Sequence, residues 1–411
     1  MFAGKNVVLC VTGGIAAYKA AELARRFYKA GAQVDVVMTE AATHFISPLT
    51  FQALVHTPVA LDMFQLLTDM QIGHVSLAKR ADVIVVAPAT ANTMAKMAWG
   101  FADNMVTTTV LAATCPVVVA PAMNDNMWAN PITQENTAKL VERGFIIVPP
   151  EVGPLAEGSI GQGRLAEVDT IVGATRRALS RGGPLAGKRI LVAAGSTREP
   201  LDPVRFISNR SSGKMGYAVA QAALDLGADV TLISGPVQLR APYGAEVVPV
   251  TTVEDMRQAL AQHGPESDAL VMAAAPVDYR AEAPATQKVK KEETGDRWTV
   301  VLARNPDLVA EVGHARPARL RVVVGFAAET EDLLVNAQEK LRRKRLDLIV
   351  ANDVSATDAG FEVDTNRVTL LGADGSREDL PLLPKEEVAQ QIMERVARLL
   401  ADKERADDPV R

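Results

Sequence analysis

Gly195 to Gly216, GSTREPLDPVRFISNRSSGKMG, gathers Ser, Asn, Arg and Gly into one polar stretch suited to holding an anion. Hydroxyls, amides and backbone N–H groups donate to phosphate oxygens, and a helix starting at its end adds the positive end of its dipole. The stretch is far longer than the ~2–6 residues a strand-to-helix connection requires, so it does more than connect. It is not a P-loop: Met215 follows Gly213-Lys214, and Ser208 stands where the first glycine would be. Three shorter polar stretches offer related chemistry: Thr12-Gly13-Gly14, Pro88-Ala89-Thr90-Ala91-Asn92-Thr93, and Pro121-Ala122-Met123-Asn124-Asp125-Asn126-Met127-Trp128. The first reads equally as a phosphate turn or a plain tight turn, and the missing GxGxxG fingerprint weighs against a dehydrogenase. His74, in Gly73-His74-Val75-Ser76-Leu77, is either a structural histidine or a proton acceptor working near neutral pH. Gly158-Ser159-Ile160-Gly161-Gln162-Gly163-Arg164 is either a flexible surface loop or a lid. Two basic runs, Lys288-Val289-Lys290-Lys291 and Lys340-Leu341-Arg342-Arg343-Lys344-Arg345, are partners for a triphosphate or solvated faces. Taken alone, the second leans to the solvated face.

The elements that would position these groups read as short apolar strands. Val7–Val11, Gln33–Met38, Val83–Ala87, Val117–Ala120 and Phe145–Val148 alternate with alanine-rich helical patterns such as Ala16–Ala30. Strands apolar on both faces, separated by helices, predict a parallel sheet covered on both sides. The pattern restarts with Arg189–Ala194, Asp229–Ile233, Ala269–Ala273, Arg321–Val324 and Asp347–Ala351. KAGAQVDVVMTEA at 29–41 and DLGADVTLISGP at 225–236 echo each other as a helix end, a Gly cap and a second strand. Fold class is therefore α/β, two Rossmann-like three-layer domains with mostly parallel sheets. The polar loops all follow strands, where open α/β sheets bind ligands. The expected organisation is a first domain at 1–180, a linker at 181–187 around Arg181-Gly182-Gly183-Pro184, a second domain at 188–400 and a flexible tail at 401–411.

Composition sets bounds. The chain has 411 residues, 48% hydrophobic and 23% charged, with a net charge of −5. These values fit a globular protein of two or three domains and argue against a general nucleic-acid binder. Two cysteines, Cys10 and Cys115, exclude a disulfide framework and fit a reducing cytosol. The N-terminus, MFAGKNVVLCVTGG, is too short and strand-like for a signal peptide. The uncharged span from Asn104 to Asn124 reads as helix, turn and buried strand rather than a membrane segment. The expected location is cytoplasmic, with no membrane partner.

Together TGGIAAYK, the GHVSL histidine, PATANT and PAMNDNMW resemble a flavin-containing cysteine decarboxylase domain. REPLDPVRFISNRSSGKMG resembles phosphopantothenate–cysteine ligase. Their fusion in this order is similar to the bacterial bifunctional coenzyme A biosynthesis family, over about residues 5 to 400. For the first domain the resemblance implies FMN-dependent decarboxylation of 4′-phosphopantothenoylcysteine to 4′-phosphopantetheine. A carboxylate leaves only if the resulting carbanion is stabilised. Oxidation of the substrate thiol to a thioaldehyde creates that sink, and the electrons return to the enethiolate afterwards. By the family pattern His74 is the base, Asn124 holds the substrate carboxylate, and Met123 and Met127 line the pocket. Gly13, Gly14, Thr39, Ala89, Thr90, Asn92 and Met123 are the FMN-binding set. Many relatives carry a cysteine before the GxGR glycines that assists reduction of the enethiolate. Glu157 stands at that position here. Glu157 is a desolvated proton donor, or another group or a water donates, or the domain stops at the enethiol. The intact His and Asn motifs favour an active domain.

For the second domain the resemblance implies ligation of cysteine to 4′-phosphopantothenate through an acyl-cytidylate made from CTP. A triphosphate demands positive charge and a metal, usually Mg²⁺. Lys288 serves activation, with Lys290 and Lys291 beside it. Lys340 and Lys344 match lysines near the triphosphate. Ala274 and Asp278 belong to the nucleotide loop Ala273–Tyr279, with Asp278 placed for ribose or metal. Asn305, Pro306 and Asp307 complete the substrate and nucleotide set. Phe326 sits against the cytidine, Asn209 orients the acyl-cytidylate, and Ser211, Ser212 and Lys214 hold phosphate. The family further implies a homo-oligomer, trimeric through the first domain and dimeric through the second, building a dodecamer. The alternatives are an active ligase with an incomplete decarboxylase half, or a flavin-binding regulatory protein.

Overall fold

The computed structural model describes residues 1–64, 73–156, 158–329, 333–353 and 363–407. The chain divides into two compact units, Met1–Ser180 and Arg181–Arg411.

In the first unit, β1 (Asn6–Val11), β2 (Gln33–Met38), β3 (Val83–Ala89), β4 (Val117–Pro121) and β5 (Ile146–Ile147) form one parallel sheet in the order β2-β1-β3-β4-β5. Helices α1 (Ala17–Lys29), α2 (Glu40–Thr43), α3 (Pro48–Val55), α4 (Gly73–Arg80), α5 (Ala91–Trp99), α6 (Met105–Leu111), α7 (Asp125–Ala129), α8 (Pro131–Glu142) and α9 (Val168–Leu179) surround it. Strands β3 and β4 are buried at every residue, which is why they read as unbroken apolar runs. Helix α1 buries Ala17, Ala20, Leu23, Ala24 and Phe27, the i, i+3, i+4, i+7 stripe of a helix lying on a sheet. Burying side chains the size of Leu23 and Phe27 contributes about 1.5–3 kcal/mol each. A second, antiparallel pair, β6 (Glu151–Pro154) with β7 (Ile160–Arg164), follows the sheet. Strand β5 is shorter than Phe145–Val148 because it is an edge strand and Pro149-Pro150, lacking N–H groups, end it. Cys10 is fully buried in this core, and burial pushes its thiol far above the ordinary range.

In the second unit, β8 (Arg189–Ala194), the hairpin strands β9 (Arg198–Pro200) and β10 (Phe206–Ser208), and α10 (Lys214–Asp225) come first. They are followed by β11 (Asp229–Ser234), β12 (Ala245–Pro249), α11 (Val253–His263) and β13 (Ala269–Met272). Next come β14 (Tyr279–Ala281), α12 (Lys291–Thr294), β15 (Leu302–Arg304), α13 (Leu308–His314), β16 (Val322–Glu329), α14 (Leu333–Arg343) and β17 (Leu348–Asp353). The last elements are β18 (Thr365–Asn366), β19 (Val368–Gly372), β20 (Arg377–Asp379), β21 (Leu383–Pro384) and α15 (Lys385–Asp407). The main sheet runs β12-β11-β8-β13-β16-β17-β19-β20, parallel as far as β17 and antiparallel at the last two strands. Helices α10 and α15 cover one face, and α11, α13 and α14 the other, giving three layers.

Two boundaries differ from the sequence expectation. Leu185, inside the expected linker, is fully buried in the core under α10, and its N–H donates to Leu226 O. The expected tail from 401 is instead helical to Asp407, because Lys403 pairs with Asp347, Glu404 with Lys188 and Asp407 with Arg321. The long loop after β8 also contains the β9–β10 hairpin, which its polar composition concealed.

Candidate functional site

Strand order reverses between β1 and β3 in the first unit, so the loops leaving their carboxyl ends part and leave a crevice. The two loops are joined at its floor. Thr12 Oγ1 donates to Pro88 O at 2.7 Å and accepts the Thr90 N–H at 3.0 Å. Thr90 also caps α5 by accepting from Thr93 N at 3.3 Å. Ala89 is buried at the end of β3, and Asn92 is exposed in the first turn of α5. Thr39 caps α2, accepting from Ala42 N at 3.3 Å. A Cβ on Gly13 would lie 2.5 Å from Ala41 Cβ, so this glycine is required by the close approach of α2. A Cβ on Gly14 would meet only Thr90 Cγ2 at 3.8 Å, so the space above it is open. Helix α1 begins after Ala16, which supplies no side-chain cap. An uncapped helix start, an open glycine and two flanking threonines fit the phosphate end of a flavin mononucleotide.

Beside this crevice, Asn124 caps α7, its Oδ1 accepting from Asn126 N at 2.9 Å and Met127 N at 3.3 Å. Capping fixes the orientation of the amide. The β6–β7 hairpin lies directly on this loop, with Met123 N donating to Gly163 O at 3.0 Å. A Cβ at Gly163 would sit 2.0 Å from Met123 O, and one at Gly161 2.4 Å from Asp125 Oδ2. Gly161 and Gly163 therefore serve contact with the asparagine loop, and Ile160–Arg164 is a strand rather than a surface loop. A cleft of about 450 Å³ opens between the two, lined among others by Ile15, Tyr18, Lys19, Met123, Asn124 and Arg164. His74, second residue of α4, is half-buried, and its Nδ1 is buried with no hydrogen-bond partner. It does not line this cleft. Glu157 lies outside the described residues.

The second unit repeats the arrangement between β8 and β13, where its strand order reverses. Ser196 Oγ donates to Ala275 O at 3.0 Å and accepts the Asn209 N–H at 3.1 Å. Asn209 Nδ2 donates to Pro276 O at 3.0 Å and Ala275 O at 3.3 Å. Thr197 Oγ1 accepts from Val277 N at 3.0 Å. The β8 loop thus grips the loop carrying Ala274, which is half-buried, and Asp278, which is exposed. Asn305 is buried, and its side chain holds the same loop, donating to Val277 O at 2.8 Å and accepting from Arg280 Nη1 at 2.7 Å. Its amide is thereby engaged in positioning. Pro306 is half-buried, and Asp307 caps α13 and pairs with Lys344 at 2.9 Å.

Asp202 is the hub of the hairpin. It accepts from Val204 N at 2.8 Å, Arg205 N at 2.7 Å and Val289 N at 3.2 Å, and pairs with the Arg205 guanidinium at 2.5 Å. These donors, led by Arg205, hold its carboxyl well below the usual range. Arg205 also donates to Val289 O at 2.8 Å and stacks 4.3 Å from the Trp298 ring. The segment Lys288, Lys290 and Lys291, all exposed, is thereby pinned to the β8 loop. Ser211 and Ser212 line a cleft with Arg198, just before the uncapped start of α10 at Gly213. Lys214 pairs with Asp364 at 2.6 Å and lowers that carboxyl's pKa. Phe326 is half-buried on β16, against the α10–α15 layer, and Lys340 is half-buried on α14.

Sequence reading placed Thr12, Ser196, Thr197, Arg198, Asp202 and Arg205 in polar stretches but gave none of them a role of its own. The available signals were position, at strand ends, and the Asp-Pro turn at 202–203. Among the described residues no group of three or more His, Cys, Asp or Glu could hold a metal ion, and no helix is long and apolar enough to cross a membrane.

Residues 1–180 match the model of the Flavoprotein family, and residues 185–400 that of the DNA/pantothenate metabolism flavoprotein C-terminal domain. The chain is 46% identical over 402 residues to the coenzyme A biosynthesis bifunctional protein CoaBC of Bacillus subtilis (strain 168), covering 97% of this chain and 98% of that one. It is 44% identical over 411 residues to the protein of the same name from Mycobacterium tuberculosis (strain ATCC 25618 / H37Rv), covering 97% of each. Among solved structures, the C-terminal domain of a coenzyme A biosynthesis bifunctional protein CoaBC shares 39% identity over 54% of this chain and 100% of that one, with a TM-score of 0.46. The FMN-dependent cysteine decarboxylase SpaF shares 34% over 44% of this chain and 97% of that one, with a TM-score of 0.39.

Proposed function

The chain belongs to the family of bifunctional coenzyme A biosynthesis proteins, and from that premise we propose which reaction each unit performs and with which residues. The second unit joins cysteine to 4′-phosphopantothenate, using CTP to make an acyl-cytidylate and releasing CMP. The first unit converts the resulting 4′-phosphopantothenoylcysteine to 4′-phosphopantetheine. One observation carries this reading: each sheet has a single reversal of strand order, and at each reversal side chains of one loop hydrogen-bond to the other loop. Pre-ordered polar loops at a switch point make a ligand site, and here there are two of them.

In the first unit, FMN would rest on Gly13, Gly14, Thr39, Ala89, Thr90, Asn92 and Met123. Bound there, the flavin would supply the two-electron oxidation of the substrate thiol to a thioaldehyde, the sink that lets the carboxylate leave. Asn124 holds the substrate carboxylate through its amide. His74 removes a proton from the substrate, and its unpartnered Nδ1 leaves the imidazole without an internal hydrogen bond at that atom. Glu157, in place of the family's loop cysteine, returns the final proton. Glu157→Gln should abolish formation of saturated product if this role holds.

In the second unit, the lysines at 288, 290 and 291 neutralise the charge that builds when the carboxylate attacks the nucleotide. Lys340, Lys344, Asn305, Pro306 and Asp307 border the nucleotide, Phe326 stacks on its base, and Ser211, Ser212 and Lys214 hold the phosphate of 4′-phosphopantothenate. Asn209 orients the acyl-cytidylate for attack by the cysteine amine. Mg²⁺ keeps most of its waters and takes one or two protein carboxylates beside the phosphates. Asp278, exposed at the end of its loop, fits an ion that arrives with the triphosphate. A homo-oligomeric assembly, a dodecamer of trimers and dimers, accounts for large exposed apolar side chains on the first unit such as Trp99, Phe101 and Leu111. The cytoplasm, which supplies CTP and keeps thiols reduced, is the fitting location.

The deciding experiment supplies purified protein with 4′-phosphopantothenate, cysteine, CTP, Mg²⁺ and FMN and identifies products by mass. 4′-Phosphopantetheine is the expected end product. 4′-Phosphopantothenoylcysteine accumulating alone would leave only the ligase, and bound flavin with no turnover would leave a regulatory protein.

A further inference from the structure

We infer that Asp364 is an affinity-determining residue of the ligase unit: its carboxylate competes with the phosphate of 4′-phosphopantothenate for the ammonium of Lys214, and so sets how tightly the site takes that substrate. The inference rests on the phosphate role proposed above for Lys214. Lys214 opens α10, directly after Gly213, which supplies no side-chain cap. The dipole makes a helix start unfavourable for a cation and favourable for an anion, so a lysine there is stabilised by a negative group beside it. That group is Asp364, whose Oδ1 lies 2.6 Å from Lys214 Nζ. The bond to Lys214, followed by its charge, holds the Asp364 carboxyl below the usual carboxylate range.

The carboxylate is presented from a fixed backbone. Lys385, the first residue of α15, is 4% exposed, and its Nζ donates to Val363 O. The Lys385 N–H donates to Asp364 O at 2.9 Å. Thr365 and Asn366 pair with Pro384 and Leu383 in the β18–β21 ladder. Asn366 Nδ2 donates to Met215 Sδ at 3.6 Å, one residue beyond Lys214. Residues 363–366 are thus seated across the starts of α10 and α15. Burial, and then the charge of Lys214, push the Lys385 ammonium down from its ordinary range, with Asp364 and Glu386 opposing. A buried ammonium is costly, and its bond to Val363 O fixes the peptide that carries Asp364.

The side chain, by contrast, can swing away. Asp364 is 84% exposed and Lys214 37%, and an ion pair that open to water is weak. A phosphate dianion carries more charge than the carboxylate and displaces it from the ammonium. Until it is displaced, Asp364 both occupies Lys214 and repels the arriving phosphate. A fixed backbone with a mobile acid therefore makes a built-in competitor, returned to the same place each time the phosphate leaves.

The test measures KM for 4′-phosphopantothenate in the full chain, with cysteine, CTP and Mg²⁺ present. Asp364→Asn should lower that KM about two- to fivefold, the effect expected of one exposed ion pair, with no change in melting temperature. A loosened fold would raise KM, so the direction separates competition from a structural role. The gain should shrink in a Lys214→Gln background, as competition for one ammonium requires. KM for CTP should stay the same, and a fall there instead would overturn the inference, since Lys214 would then face the nucleotide. If Lys214→Gln raises KM for 4′-phosphopantothenate and Asp364→Asn does not lower it, Asp364 is no competitor and this inference alone fails. If Lys214→Gln changes nothing, the phosphate role proposed above fails and this inference falls with it. Calorimetric titration with 4′-phosphopantothenate reads the same affinities without turnover.

Discussion

Asp202 fixes the backbone on which candidate site residues stand. It sits in an Asp-Pro turn, an ordinary loop signal, yet it fastens Arg205 and Val289 and so sets where the lysines at 288, 290 and 291 stand. Its folded pKa is depressed, so the stability it adds is fully present above the unfolded value of about 3.9 and is lost as pH falls below that toward the folded value. Asp202→Asn should therefore lower the melting temperature of the second unit at pH 7. The gap from the unaltered protein should close as pH drops from about 4 toward 2, which thermal melts across that range would show. A constant gap would mean the carboxylate's charge is not what matters. Lys288 is the complementary case, exposed and legible in the sequence through its KVKK run. Lys288→Gln should cut CTP-dependent condensation about a hundredfold or more with no change in melting, measured as CMP release. Donors and basic groups were readable because they stand in polar runs. The residues that hold them, Thr12, Ser196, Thr197 and Asp202, were not, because a buried Ser or Asp looks in sequence like any loop residue until its partner some 80 positions away is placed beside it.

At the scale of elements, parallel strands were easy to read and short antiparallel ones were not. Gln33–Met38 and Arg189–Ala194 are buried on both faces, so their apolar runs mark their ends closely. The hairpins β6–β7 and β9–β10 hold few apolar residues and are fixed by contact, so their composition spoke only of loop. The end of α15 was misread for a similar reason, since its last turns are held by ion pairs with distant partners rather than by an apolar stripe. Contact is what makes Gly163 informative. With a Cβ 2.0 Å from Met123 O, Gly163→Ala must lift β7 off the asparagine loop. The expected outcome is loss of decarboxylation with ligation intact, and a fall in stability of the first unit of about 1–3 kcal/mol by denaturant unfolding. Unchanged decarboxylation would show that the hairpin need not seat on Asn124 for the reaction.

At the scale of the whole chain, two α/β domains were legible because the strand–helix alternation stops and restarts, and because 29–41 and 225–236 repeat one local pattern. What sequence could not show is that each half closes its own core and carries its own reversal of strand order. One core cluster of the first unit, among the described residues, runs from Val8 to Leu140, with Ile147 packed against it. The second unit's two clusters begin at Leu185 and end at Leu400. Each half therefore holds a core of its own and the loops assigned to its reaction. Leu185 decides where a division must fall: a cut after Ser180 keeps it under α10, whereas one at 187 or 188 removes a fully buried side chain and costs about 2–5 kcal/mol. Residues 1–180 and 181–411, expressed separately, should each fold. The first should retain flavin and decarboxylate 4′-phosphopantothenoylcysteine, and the second should consume CTP to make it. A second unit begun at 188 should melt lower than one begun at 181. If instead the first unit bound flavin but turned over only when the second was added back, the decarboxylase site would need a group that the fold of residues 1–180 does not supply.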